Sequence, residues 1–369
     1  MKISLAIIAR DNDDVIESTL RSVETFVDEI VVVDTGSVDG TISVAERCGA
    51  KIHHFEWIDD FSAARNYSFS KCSGDWIMWL DTGDVIPPES ASAFLRLKNQ
   101  LSGIPDNEQP ELIYALLNRD IDEDGIPSSN YPVARLARRS ANPNWERPIH
   151  EVLVTDNNVG YFFNEGWVED RNVQDHSERN LEMLIDLAST GDSSVRTISY
   201  LASEFYEQGR YNEALLAYDS IIQRNDYSVN HYEALVGVGK CHRQLNDIES
   251  AINPWLEALW VDSTRAEAWL LLGEIFYEQE EFAKALPYFK AVTALKRPED
   301  ASAVRLSHYS YLPYERLGFC YLGLNQDQKA LEAFQQAAYY APPKKAEQFV
   351  ELMDSLADAS NGSKDTLGA

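Results

Sequence analysis

The chain has 369 residues, 44% hydrophobic and 11% aromatic, with a formal net charge of −28 from 60 acidic and 32 basic side chains. That length suits two domains, and the aromatic content excludes a disordered chain. So acidic a surface repels phosphate backbones and anionic lipid, which disfavours nucleic-acid and membrane-surface partners; solubility is its plainest meaning. The four cysteines, Cys48, Cys72, Cys241 and Cys320, match no metal knuckle or disulfide framework and read as small core residues in a reducing compartment. No apolar run is long enough for a signal segment or a membrane span, so a soluble cytoplasmic protein is expected.

The first ninety residues alternate strand and helix. Residues 3–9 form a nearly continuous apolar run, as in a strand buried on both faces. Residues 13–26 carry apolar side chains at helical spacing, and 29–33 form a second buried strand. That strand ends at Asp34-Thr35-Gly36-Ser37, a turn able to cap a helix over 41–48. A strand at 51–55, a helix at 61–72 and a strand at 75–80 follow, the last ending in the polar turn Asp81-Thr82-Gly83-Asp84. This order predicts an α/β, Rossmann-like domain with a mostly parallel sheet. Ligands of such sheets bind beyond the carboxyl ends of the strands, where the turns at Asp34 and Asp81 stand. From 87 to 168 the pattern loosens into a helix at 91–101, strands at 112–117, 131–136 and 151–154, a hairpin turn at 120–125 and a turn-rich stretch at 142–148.

From about residue 175 the chain reads as helical. Ala214 with Tyr218, Ala251 with Trp255, Ala285 with Phe289 and Ala330 with Phe334 repeat at steps of 37, 34 and 45 residues. Twelve residues before each alanine stand Ala202, Gly239, Gly273 and Gly318. This is the tetratricopeptide (TPR) pattern, in which small residues let helices approach and aromatics fill the space between them. The expected domains are 1–172, a linker helix at 173–194, about four repeats at 195–356 and an unstructured tail at 357–369. Trp255, Trp260, Trp269 and Tyr288 either line a groove between repeats or fill the core.

Three stretches carry a family resemblance: Asp28-Glu29-Ile30-Val31-Val32-Val33-Asp34-Thr35-Gly36-Ser37, Phe55-Glu56-Trp57-Ile58-Asp59-Asp60-Phe61-Ser62-Ala63-Ala64-Arg65-Asn66, and Gly74-Asp75-Trp76-Ile77-Met78-Trp79-Leu80-Asp81. With Ile149-His150-Glu151 and Arg179-Asn180-Leu181, they resemble the inverting GT-A glycosyltransferases that include cellulose and chitin synthases. The resemblance is to the bacterial subgroup fused to TPR repeats, including peptide S-glycosyltransferases. It implies a nucleotide-sugar donor, UDP-type, and a protein, peptide or glycan acceptor that the repeats hold, unless they pair the chain into a homodimer. Asp34, with the backbone at Ala9 and Arg10, would line the nucleoside pocket; Asp34 equally reads as a helix cap. Arg65 would meet the nucleotide or its phosphate, or be an ordinary surface helix arginine. Glu151 is the expected general base with His150 beside it, though a histidine on a strand is often structural. Arg147 could meet the diphosphate, while Arg135 and Arg138 read as readily as solvated.

The resemblance also implies a divalent metal, manganese or magnesium, on an Asp-x-Asp motif. The sequence departs from that motif: Gly83 stands where the second aspartate belongs. The expected ligands are therefore Asp81, Asp84 and Asp170, with no histidine at 167–171. A lid over 142–148, carrying Trp145, would keep water from the donor. Two alternatives remain at this stage: a transferase acting on a modified nucleic-acid base, and a TPR adaptor whose degenerate transferase domain binds nucleotide without turnover.

Overall fold

The structure is a computed structural model that describes residues 1–121, 127–171, 177–224, 226–298 and 303–365. It divides into two compact units, Met1–His176 and Ser177–Ala369. The expected boundary at 172/173 and the tip of the expected hairpin turn at 122–125 lie outside the described residues.

The first unit opens with β1 (Ile3–Ala9), α1 (Ile16–Ser22), β2 (Glu29–Asp34), α2 (Thr41–Arg47), β3 (Lys51–His54), α3 (Phe61–Lys71) and β4 (Trp76–Trp79). It continues with β5 (Asp84–Val85), α4 (Pro88–Ser102), β6 (Leu112–Ile121), β7 (Pro127–Arg138), β8 (Asn144–Glu146), β9 (Val152–Val154) and β10 (Gly160–Asp170). The main sheet runs β3-β2-β1-β4-β7-β6-β10-β5, and β8 pairs with β9 in a separate two-stranded ribbon. The first four strands are parallel, as expected. Beyond β4 the sheet is mixed: β7 is antiparallel to β4 and β6, β10 is parallel to β6, and β5 is antiparallel to β10.

Alternation along the strands makes two cores. Ile3, Leu5, Ile7 and Ala9 of β1 face α1 and α4 through Ile16, Leu20, Phe26 and Phe94. Ala6, Val31, Val33 and Ile77 face Phe69 of α3 and Trp145 of β8. Each such aliphatic or aromatic side chain removed from water stabilises the unit by about 1.5–3 kcal/mol before entropy is counted. Ser4 is fully buried in β1 because its hydroxyl donates to Glu29 Oε2 at 2.5 Å and accepts from the Gly74 amide at 2.8 Å.

The chain leaves β1 for β2 and β3 on one side and returns to β4 on the other. The crossover directions diverge at β1, which opens a crevice at the carboxyl ends of β1, β2 and β4. Sequence patterning missed β10. Asn164-Glu165-Gly166 interrupts its alternation, and the pairing with β6 shifts register between Phe162 and Trp167.

The second unit begins with α5 (Ser177–Ser189), followed by helix pairs α6 (Val195–Glu207) and α7 (Tyr211–Ile222), α8 (Val229–Gln244) and α9 (Ile248–Val261). Then come α10 (Ala266–Glu278), α11 (Phe282–Thr293), the short β11 (Val304–Arg305), α12 (Leu312–Gly323), α13 (Asp327–Tyr340) and α14 (Pro343–Asp365). The small-residue positions are where the aromatics pack. A Cβ on Gly239 would lie 2.2 Å from Trp255 Nε1, on Gly273 2.7 Å from Phe289, and on Gly318 2.4 Å from Phe334. Trp255 is fully buried and fills the core; Trp269, which donates to the Ser263 carbonyl at 2.9 Å, and Tyr288, which stacks on Phe276, are half-buried. Trp260 is 77% exposed. The final helix continues through Asp365, where the sequence reading placed an unstructured tail from 357. No described helix is long and apolar enough to cross a membrane.

Candidate active site

The crevice is built from turns that follow buried strands. At the end of β2, Asp34 is 4% exposed and folds back on its own turn, accepting from the Gly36 and Ser37 amides at 3.2 and 3.0 Å. Burial would raise its pKa, but those hydrogen bonds and the His54 imidazole 3.4 Å away hold it below the usual aspartate value. Asp34 is thus a turn cap first; α2 starts after Gly40, with Asp39 accepting from the Thr41 amide at 2.9 Å. Ala9 sits opposite Asp34 in the β1–β2 register and accepts from the Thr35 amide at 3.0 Å. Arg10 follows, with its side chain exposed.

The turn after β4 is tied to that after β1. Thr82 donates to Asn12 Oδ1 at 3.0 Å, and Asn12, itself buried, donates its amide to Thr41. Gly83 has φ +97, a backbone conformation that favours glycine, and its amide donates to Thr19 Oγ1 at 3.0 Å. An aspartate at 83 would meet this φ with strain.

Arg65 is the hub. It lies on α3, where the Asp60 side chain caps the helix by accepting from Ala63 N at 2.9 Å. It is 8% exposed, so the surface-arginine reading is corrected. Its Nη2 donates to Asp81 Oδ1 at 2.6 Å and its Nε to Glu151 Oε1 at 2.8 Å. Its guanidinium carbon lies 4.6 Å from the Trp79 ring centroid and 5.0 Å from that of Trp145. Burial alone would lower its pKa; the two carboxylates outweigh that and raise it. The next residue, Asn66, clamps the Trp145 backbone, donating to its carbonyl and accepting from its amide, both at 2.8 Å. Trp145 is 4% exposed and packs edge-on against Trp79 and Phe69. It packs as a buried wall of the site, where a lid was expected.

Glu151 precedes β9 and is half-buried. His150 has φ +50 and Arg147 φ +80, so both occupy the left-handed region in the connection between β8 and β9. His150 is therefore on a turn, where a strand was expected. Strained non-glycine residues of this kind gather at functional sites.

The second arginine was not foreseen. Arg135, on β7, is 1% exposed and lies 2.9 Å from Asp84 Oδ2, with its guanidinium 4.2 Å from the Trp79 ring centroid. Arg138 is likewise engaged, with Asp106 at 3.1 Å. Asp84 is buried on β5 and accepts from the Asp81 amide at 3.0 Å. Burial pushes its carboxyl up to about 6, the charge of Asp81 adding to the effect against the pull of Arg135. Asp81 moves the other way: burial would raise it, but Arg65 and Arg135 hold it below the usual value. Asp170 sits opposite Asp84 in the β5–β10 register, 3.1 Å from Arg119 Nε.

The three expected metal ligands do not fit a metal site. Asp81 is bound by Arg65, Asp84 by Arg135 and Asp170 by Arg119, and no group of three or more His, Cys, Asp or Glu side chains among the described residues could hold an ion. The structure does bring Asp81, Arg65 and Glu151 into contact and sets Asp84 and Asp170 beside them, with Asp34 two strands away.

Comparison with known proteins agrees with this architecture. Residues 4–100 match the family Glycosyl transferase family 2; residues 201–260, 261–304 and 314–343 match tetratricopeptide repeats. A TPR repeat-containing protein of Synechococcus elongatus is 37% identical over 153 residues, 41% of this chain and 35% of that protein. An uncharacterized glycosyltransferase of Rickettsia felis is 34% identical over 88 residues, 24% of this chain and 31% of that protein. The SPbeta prophage-derived glycosyltransferase SunS of Bacillus subtilis is 28% identical over 102 residues, 27% of this chain and 24% of that protein. Each alignment spans about a third or less of the relative's length. A thermophilic TPR protein of Thermus thermophilus aligns with a TM-score of 0.35 at 18% identity, over 49% of this chain and 90% of that one, a score too low to build on. Residues 4–100 thus match a family 2 glycosyltransferase domain, and stretches of the helical unit match tetratricopeptide repeats.

Proposed function

We propose that the protein moves a sugar from a nucleoside-diphosphate donor, UDP-type, to a hydroxyl or thiol of a protein, peptide or glycan acceptor, with inversion. One observation carries this reading. Arg65 and Asp81 lie in the stretch 4–100 that matches glycosyltransferase family 2, and Arg65 joins Asp81 at the end of β4 to Glu151, which lies outside that stretch, at 2.6 and 2.8 Å.

In this reading Asp34, Ala9 and Arg10 line the nucleoside pocket and Asp81 faces the donor. Glu151 takes the acceptor proton as the acceptor atom bonds to the anomeric carbon. The bond from that carbon to the diphosphate oxygen breaks, its electron pair leaving with the nucleoside diphosphate. A single displacement inverts the centre, and Glu151 ends protonated. His150 and Arg147, in the strained connection beside Glu151, position the acceptor and the leaving group. The repeats hold the acceptor. The setting is cytoplasmic.

The adaptor reading has support in Gly83, whose φ of +97 replaces the family's second aspartate. One experiment separates the two: sugar transfer and nucleotide binding measured on Glu151→Gln and wild type. Loss of a general base lowers kcat by roughly 10²–10⁴-fold with nucleotide affinity retained. Equal turnover in the two proteins refutes the base assignment, and binding without turnover in wild type supports the adaptor.

A further inference from the structure

The turn that would hold the metal is already neutralised by arginines. Each carboxylate of the turn has its own guanidinium: Asp81 has Arg65 at 2.6 Å and Asp84 has Arg135 at 2.9 Å. Neither arginine is an adaptable surface group. Their side chains are 10% and 1% exposed, and both guanidiniums lie within 5 Å of the Trp79 ring. With Oδ1 of Asp81 accepting from Arg65, a dication could use only Oδ2, and it would sit beside that buried guanidinium as a second positive charge. Uncompensated buried charge is strongly unfavourable. Gly83 supplies no carboxylate to offset it, and the third expected ligand, Asp170, is engaged by Arg119.

Arg65 has capacity left. Its Nε and Nη2 serve Glu151 and Asp81. A guanidinium carries five N–H groups, and those two hydrogen bonds leave others for a further acceptor. Guanidinium geometry suits phosphate oxygens, and a preset charge needs no recruitment when negative charge develops.

Resting on the transferase reading above, we propose that this site meets the donor diphosphate with the fixed charge of Arg65, backed by Arg135, and binds nucleotide without a divalent ion on Asp81, Asp84 and Asp170. The positive charge that a metal would bring is built into the fold on α3 and β7, against one tryptophan of β4.

The test uses the full chain and isothermal titration with UDP, GDP, CDP and dTDP, each in EDTA, in magnesium and in manganese. The expected result is one nucleotide whose Kd changes by less than about threefold, well under 1 kcal/mol, across the three conditions. Affinity that appears only with a metal, or rises tenfold or more with it, overturns the proposal. Manganese alone titrated into the protein should give no saturable heat; stoichiometric binding lost in Asp81→Asn would also overturn it. Arg65→Lys, which keeps the charge but not the fork, should weaken nucleotide binding equally with and without EDTA; a loss that manganese rescues contradicts the assignment. Metal-independent binding without sugar release leaves this inference standing and defeats the transferase reading. Metal-dependent sugar release does the reverse, and no binding under any condition defeats both.

Discussion

Replacing Arg65 with methionine tests the hub. The side chain is 10% exposed, Glu151 12% and Asp81 49%. Asp81 can turn to water, so losing its partner costs only about 0–1 kcal/mol. Glu151 cannot, and breaking a buried pair by removing one partner costs about 3–5 kcal/mol. The cation–π contacts with Trp79 and Trp145 are lost too, while methionine retains part of the packing. The expected destabilisation of the first unit is about 3–4 kcal/mol. It would be read from urea denaturation, with hydrogen exchange in peptides covering α3 and β4 to locate the transition. Adding Glu151→Gln to Arg65→Met should restore about 1–2 kcal/mol, because the uncompensated charge is gone, giving a non-additive cycle. A cost within about 0.5 kcal/mol, the range of surface substitutions, or additivity of the two changes, would refute the idea that Arg65 and Glu151 form a buried pair.

Other predictions concern both units. Gly239→Ala places a methyl 2.2 Å from Trp255 Nε1, where ordinary contact begins near 3.4 Å; despite the helix-propensity gain it should lower the stability of the repeats by about 1–3 kcal/mol, seen as a lower midpoint, and a raised midpoint would contradict the close approach. Trp145→Ala should cost about 3–5 kcal/mol as a core truncation; unchanged stability with faster donor hydrolysis would instead favour a lid. Glu111 is held at about 2, chiefly by the Asn157 side chain and also by the Asn157 amide and Thr155. Its folded pKa is depressed, so its contribution is full above the usual 4.5 and is lost as pH falls from there towards 2. Glu111→Gln should therefore destabilise by about 1–2 kcal/mol at neutral pH and flatten the acid limb of stability against pH; an unchanged limb would refute the assignment.

The parallel half of the sheet was legible because β1, β2 and β4 are apolar runs ended by polar turns, and the strand-end rule then located Asp34 and Asp81. The repeats were legible because Gly239, Gly273 and Gly318 recur against Trp255, Phe289 and Phe334. The mixed half was less so. β10 breaks its own alternation at Asn164-Glu165-Gly166, and β8 is a three-residue strand inside a turn-rich stretch. Arg135 could not be recognised as buried, because its burial depends on pairing with Asp84, remote in sequence and brought close by the β4–β7 pairing. The same holds for Trp145: Asn66, not any local pattern, fixes it. The metal expectation came from a motif position, and side-chain partners, which a sequence does not reveal, decide whether carboxylates are available.

The most direct measurement is nucleoside-diphosphate release from a panel of nucleotide sugars incubated with the full chain, compared with Asp81→Ala and Glu151→Gln. The account predicts release from one donor, saturable in wild type, lower by at least about a hundredfold in Glu151→Gln and reduced in Asp81→Ala. Release that persists in both variants, or no release from any donor alongside tight nucleotide binding, would contradict it.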